Sequence, residues 1–188
     1  MNAYDFDKTI YPKDSSAEFF GFCLKSYPLA VLRAFPGIIS RYIAFKTRQG
    51  TFLELKEQVF SFLKYVPDID SAVELFWQER KNNIGEWYLK RKKSDDVIIS
   101  ASPEFLLRPV SEMLGVELIA TVMDKRTGEI SGLNCHDKEK VRRFRERYPE
   151  GRIAEFYSDS YADTPLAQAA EKAFMVGKGK IDPWKNKK

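Results

Sequence analysis

A chain of 188 residues, 44% hydrophobic and 14% aromatic, suits one domain carrying an insertion and excludes wholesale disorder. Its net charge of +4 is too small to indicate nucleic-acid binding, and no such partner is expected. The basic excess is local, at residues 90–93, 138–152 and 178–188, each read as a solvated face or chain end. Cys23 and Cys135 have no metal-ligand spacing and read as free thiols in a reducing compartment, so a cytoplasmic location is expected.

The first candidate strand begins almost at Met1, which leaves no room for a signal peptide. It runs into Asp5-Phe6-Asp7-Lys8-Thr9. Residues at i and i+2 of a strand share a side, so Asp5 and Asp7 can converge on one ligand where the strand ends. Two such acids repel, and a metal, a shared proton or a cation must offset them. An acidic turn is the plainer alternative for these residues alone.

After a turn at residues 11–16 the pattern is helical to about residue 90, with no convincing strand. Pro28 and Pro36-Gly37 are expected to break the first helices. Arg33, Arg41 and the two prolines divide this apolar stretch, so a transmembrane helix is not expected. Thr51 and Glu54 form a capping box ahead of the stripe Phe52, Leu55, Val59, Phe62 and Leu63. Pro67-Asp68 ends that helix, and residues 71–87 read as the next one.

At Asp95 the texture changes. Val97-Ile98-Ile99 has the look of a buried parallel strand, ending at Ser100, with Pro103 opening a helix that Gly115 closes. Residues 116–122 form the next strand, and Thr127-Gly128 and Gly132 mark the turns of a small hairpin. A basic helix spans 137–148 and a strand 153–157. Thr164-Pro165 then starts a helix over 166–173, and residues 174–176 form a last short strand. Strand and helix alternate from residue 97, which predicts an α/β fold with a Rossmann-like parallel sheet interrupted by a helical insertion.

The predicted strand ends carry Asp5 and Asp7, Ser100, and Asp159 with Asp163 four residues on, while Lys140 lies on the helix between. In a parallel sheet these ends share one edge. Several carboxylates there suit a hard divalent cation, most plausibly Mg²⁺. A serine, a lysine and helix N-terminal amides beside it suit an anion. The combination describes a phosphoryl-transfer site.

The order Asp-x-Asp-x-Thr, Ser, Lys, Asp-Ser-x-x-Asp resembles the haloacid dehalogenase (HAD) superfamily of phosphatases. The resemblance covers residues 1–12 and 95–180, and the helical insertion resembles the type-1 cap of subclass I. It implies a HAD-fold core at 1–12 and 92–188, with a cap at 13–91. It implies a phosphomonoester hydrolase in which Asp5 is the nucleophile and Asp7 the general acid and base. Thr9 would support the loop. Ser100, Ala101, Phe6 and Lys140 would bind the phosphoryl group, and Asp5, Asp7, Asp159 and Asp163 would form the Mg²⁺ site. Lys138 competes with Lys140 for the lysine role; Cys135, Lys140 and Val141 favour Lys140, although Asp137 replaces the family's glycine. Lys8 stands where most members have glycine, and Lys8 and Asp14 are candidate substrate contacts on the cap side. Asp7 favours ester hydrolysis, because family dehalogenases lack that aspartate and P-type ATPases have threonine there.

Within subclass IB two branches compete. Phosphoserine phosphatases usually carry glutamate where this chain has Asp14, Ser-Gly-Gly at the second motif and Gly-Asp-Gly at the fourth. Ser100-Ala101-Ser102-Pro103 and Ser158-Asp159-Ser160 look more like the phosphatidylglycerophosphatase branch. The expected substrate is therefore a phosphorylated small molecule or a lipid headgroup. Peripheral membrane contact would run through residues 19–45, with Lys25, Arg33 and Arg41 at the headgroups. A receiver domain, with its acceptor aspartate on a later strand and no such insertion, fits less well. A non-catalytic surface-binding module does not account for the acidic constellation. His136, the single histidine, reads as an exposed loop or cap residue. Oligomeric state is left open.

Overall fold

The computed structural model describes residues 1–177 and 180–185. Its centre is a sheet in the order β3-β2-β1-β4-β5-β6. The strands are β1 (Ala3–Tyr4), β2 (Val97–Pro103), β3 (Glu117–Thr121), β4 (Ile153–Ser158), β5 (Ala170–Gly177) and β6 (Lys180–Pro183). All neighbours pair in parallel except β5 and β6, which are antiparallel. The two-residue β1 holds the middle because Ala3 pairs with both Val97 and Phe156. Its residues are fully buried, as a central parallel strand requires.

Five helices lie between β1 and β2: α1 (Ser15–Ser26), α2 (Pro28–Lys46), α3 (Phe52–Phe60), α4 (Ile69–Arg80) and α5 (Glu86–Leu89). Asp14 caps α1 by accepting from the Ala17 amide, and Thr51 and Glu54 complete the expected capping box of α3. The remaining helices are α6 (Glu104–Leu114), α7 (Lys138–Arg147) and α8 (Thr164–Ala169). Tyr4, Phe6, Phe19, Phe76 and Trp77 join the inserted helices to the sheet in one aromatic core. The Trp77 indole N–H donates to the Leu106 carbonyl at 2.6 Å, which fixes α4 against α6. Glu57 on α3 accepts from the Ile130 amide at 2.8 Å. Gly128 lets this hairpin approach, because a β-carbon there would lie 2.6 Å from the Phe60 carbonyl oxygen.

Several local expectations are corrected. The helix does not break at Pro36: α2 runs through it for 19 residues. Pro36 lies on the exposed side, where water can satisfy the Leu32 carbonyl that loses its partner, while Ala30, Val31 and Ala34 bury the opposite face. By length and composition α2 is apolar enough to cross a membrane, although its buried face packs within the fold. Residues 71–87 are not one helix. The chain departs at Lys81 and Gly85 docks its amide on the Ile10 carbonyl at 2.9 Å, before α5 begins.

The helix opened by Thr164 stops at Ala169 rather than 173, because Ala170 pairs with Ile153 and Ala173 with Phe156. Sheet pairing there overrides the helical preference of an alanine-rich run. Strand β2 continues past Ser100 to Pro103 through an irregular register, so α6 starts one residue later than expected. β6 had no signal in the sequence reading. Of the basic tail expected at 178–188, residues 178–179 and 186–188 lie outside the described residues.

Candidate active site

Strand β1 ends by donating the Asp5 amide to the Tyr157 carbonyl at 2.8 Å, which delivers Asp5 to the C-terminal edge of the sheet. The loop then closes on Phe6, whose carbonyl accepts from the amides of Thr9 and Tyr11. Phe6 is fully buried, stacked on Tyr11 and edge-on to Trp77, so its side chain is an anchor and only its backbone can face a ligand. Lys8 has φ of 57°, a left-handed conformation that is strained for a residue with a β-carbon. That strain is the physical reason a glycine is comfortable at this point of the loop.

Lys140 reaches in from α7 and is 2% exposed. Its ammonium donates to Asp5 Oδ1 at 2.7 Å and to Asp163 Oδ2 at 2.8 Å. Asp163 also accepts from the Ser158 hydroxyl at 2.7 Å. Lys138, the competing lysine, is exposed. Burial pushes the Asp5 carboxyl up, to about 7, against the pull of Lys140, and the charges of Asp163 and Asp7 push the same way. Burial works against the Lys140 ammonium, but its two carboxylate partners outweigh it and hold the proton more tightly than usual.

Asp7 is held from two sides. The Ser15 amide donates to Oδ1 at 2.8 Å, and the Ser102 hydroxyl donates to Oδ2 at 2.5 Å. Burial raises its carboxyl above the ordinary range, and these hydrogen bonds only partly offset that. Thr9 Oγ1 accepts from the Asp159 amide at 3.0 Å and so ties the first loop to the loop after β4. Burial also raises Asp159, with Lys8 and Lys140 pulling the other way. Ser100 is buried, and its hydroxyl accepts from the Ser102 amide at 3.1 Å.

A cavity of about 500 Å³ opens beside Asp7 between the inserted helices and the sheet edge. Asp14 and His136 reach its wall, Asp14 while still capping α1. Lys8 does not line it and instead faces a separate cleft with Asn83 and Trp87. Of the two cap-side candidates, Asp14 lies on this cavity and Lys8 does not.

Three participants were not legible in the sequence. Ser102 and Ser15 bind Asp7, yet a serine two residues beyond a motif serine, or one at a helix start, carries no distinguishing signal. Lys56 on α3 donates to the Ala101 carbonyl at 2.6 Å and to Asn134 Oδ1 at 2.7 Å. Burial pulls the Lys56 ammonium down to about 8, against the attraction of Asp7 and Asp14. Lys56 was hidden inside an amphipathic stripe, and only the cavity distinguishes it from a surface lysine.

The donor set suits a hard cation. Asp5, Asp7, Asp159 and Asp163 bring four carboxylates to one edge, where Lys140 is the buried ammonium that pairs with two of them. The upward shifts of Asp5 and Asp159 express this surplus of negative charge as well as burial. Among the described residues, no three Asp, Glu, His or Cys side chains converge as a ready ligand group. A cation bound by one or two carboxylates, a backbone carbonyl and water matches the habit of Mg²⁺. Asp163, committed to Lys140 and Ser158, is placed to orient rather than to coordinate.

A mostly parallel sheet, a helical insertion after β1 and an acid–lysine cluster at the strand ends define a hydrolase-type α/β architecture. The family model of the haloacid dehalogenase-like hydrolases matches residues 3–168, and the chain belongs to that family. Protein CicA of Caulobacter vibrioides (strain NA1000 / CB15N) is 31% identical over 194 residues, covering 95% of this chain and 86% of that protein. A Bordetella pertussis Tohama I protein of unknown function has the same fold, with TM-score 0.71, 22% identity, and coverage of 92% and 87% of the two chains. A phosphoserine phosphohydrolase-like protein from Francisella tularensis subsp. tularensis SCHU S4 superposes with TM-score 0.57 and 16% identity, over 95% and 88%.

Proposed function

We propose that this protein is a Mg²⁺-dependent phosphomonoester hydrolase working through an aspartyl-phosphate on Asp5. The supporting observation is the pairing of Asp5 with buried Lys140, two residues ahead of an Asp7 that burial keeps ready to hold a proton. A carboxylate oxygen of Asp5 attacks phosphorus as the ester P–O bond breaks, and Asp7 gives its proton to the departing alkoxide oxygen. Asp7, now a carboxylate, takes a proton from water. The resulting hydroxide attacks phosphorus, the Asp5–phosphate bond breaks and inorganic phosphate leaves. Ser15 and Ser102 orient the Asp7 carboxyl through both steps. Lys140 favours the ionised form of Asp5 and would meet the phosphoryl oxygens, with Ser100 and the amides of Phe6 and Ala101 around it. Asp5, Asp159 and the Asp7 carbonyl would hold Mg²⁺, which supplies positive charge to offset the phosphoryl group. Residues 13–91 would act as the lid.

The deciding measurement is release of p-nitrophenol from its phosphate ester. Turnover that needs a divalent metal and disappears in Asp5→Asn supports the assignment. A pure protein that hydrolyses no phosphate ester with any divalent metal sinks it.

A lipid phosphate is the sharper substrate reading, favoured by α2. Leu29, Leu32, Ile39 and Ile43 are each more than half exposed, with Pro36 in the same stripe. Between Glu18 and Glu54 the chain has no acid but carries Lys25, Arg33, Arg41, Lys46 and Arg48. That charge opposes pairing with a second copy and favours an anionic bilayer surface. Co-flotation with phosphatidylglycerol vesicles, lost in Leu32→Glu/Ile39→Glu, is the expected result. The small-metabolite alternative rests on Asp14 at the cavity wall, and preferred hydrolysis of phosphoserine would favour it.

A further inference from the structure

The cavity beside Asp7 has an unusual division of labour. Phe20, Phe52, Leu55, Val59 and Phe60 give it an apolar wall, all from α1 and α3. The polar part of the lining is Lys56, also on α3, with Ser102, Asn134 and His136. Its volume of about 500 Å³ falls within the range of sites that enclose drug-sized ligands. A leaving group of a few polar atoms would leave that apolar wall in water. Lys56 adds a second constraint. An ammonium has three donors, and the Ala101 carbonyl and Asn134 take two. Neither acceptor is charged, so among the described residues a cation at the cavity wall has no ionic partner in direct contact.

We infer that the leaving group is amphiphilic: an apolar chain or ring system seated on α1 and α3, joined to the phosphate through an oxygen-bearing segment that accepts from Lys56. Asp7 lines the same cavity, so a phosphate ester seated this way presents its bridging oxygen toward the Asp7 carboxyl. Lys56 is thereby a substrate-binding residue, with His136 as a neighbouring donor. The inference rests on the phosphatase reading for the identity of the reacting group, but the cavity's preference is measurable without turnover. A free amphiphile and a membrane lipid share this chemistry.

The test is calorimetric binding of methyl-, butyl- and octylphosphonate to the Mg²⁺-loaded protein, each below its micelle concentration. Each methylene that enters the cavity fully should tighten binding about fourfold. Val59→Asn should flatten that series. A fourth probe carries an ester between phosphonate and chain. Lys56→Met should weaken this probe at least tenfold more than plain octylphosphonate, a difference that a purely structural lysine would not produce. Equal affinity at all chain lengths, or no binding of any probe, overturns the inference. So does a Lys56→Met effect that is the same for both long probes. Turnover of p-nitrophenyl phosphate with a flat chain-length series would sink the amphiphilic leaving group and spare the phosphatase. A steep series without turnover would do the reverse. Phosphatidate binding in phosphatidylcholine vesicles, compared with octylphosphonate monomer, separates the lipid from the free amphiphile.

Discussion

Thr9 and Asp159 are 150 residues apart in sequence, yet the Thr9 hydroxyl accepts the Asp159 amide proton at 3.0 Å. This bond ties the loop after β1 to the loop after β4. Thr9→Val keeps the shape and removes the acceptor. It should cost about 1–3 kcal/mol in urea denaturation, as expected when a part-buried amide loses its partner. It should also raise the Mg²⁺ concentration needed for half-maximal activity. Unchanged metal dependence would show that the bond serves stability alone.

Lys140 has no solvent to fall back on. Replacing it with Met leaves Asp5 and Asp163 buried without their counter-charge, a change that typically costs about 3–5 kcal/mol. Lys140→Met/Asp163→Asn should recover part of that loss, because one of the two stranded charges is gone. Additive losses in chemical denaturation would contradict the coupling.

For Asp7 the pH dependence has a defined sign. Its folded-state carboxyl is raised above the unfolded value of 3.8, so the folded protein binds the proton more tightly. Stability therefore falls as pH rises from about 3.8 toward the folded value, and the burden is fully present above it. Asp7→Asn removes that burden. The variant should be more stable than the parent at pH 7, with the gap closing as pH drops through 4, while kcat falls by about 10²–10⁴. Parallel stability curves across pH would refute the account.

Lys8→Gly should raise stability by about 0.5–1 kcal/mol, because relief of the left-handed strain exceeds the added freedom of the unfolded chain. Lys8→Ala keeps the β-carbon and should give no such gain. Thermal melts of the two variants decide whether φ at this position, rather than charge, is the cause.

Much of the core was legible because its signals are local. Val97-Ile98-Ile99 announces a buried strand, and Asp5, Asp7, Lys140 and Asp159 occur at the ends of recognisable elements. Thr51 and Glu54 cap α3 through a pattern visible in four residues. What escaped depends on distant partners. Whether Ala170 continues a helix or begins a strand is decided by Ile153 across the sheet. Pro36 stays helical because of which side of α2 faces water. Lys56 and Ser102 become site residues only when α3 and the β2 loop meet beside Asp7. The sequence offers the whole of residues 19–45 for surface contact, and only the packing shows which face of α2 is left exposed.

The brevity of β1 has a consequence for the order of assembly. Ala3 and Tyr4 precede both of their sheet neighbours in the chain, one beginning at Val97 and the other at Ile153. Two residues cannot hold strand conformation by themselves, so the inserted helices, rich in short-range contacts, can condense while the loop bearing Asp5 is still untethered. Asp5 meets Lys140 only after 135 further residues are made. Pulsed hydrogen exchange on stalled nascent chains should show α1–α4 protected before the Asp5 amide. The Asp5 carboxylate is thus made long before the ammonium that pairs with it, and acquires its buried surroundings only when the later strands arrive.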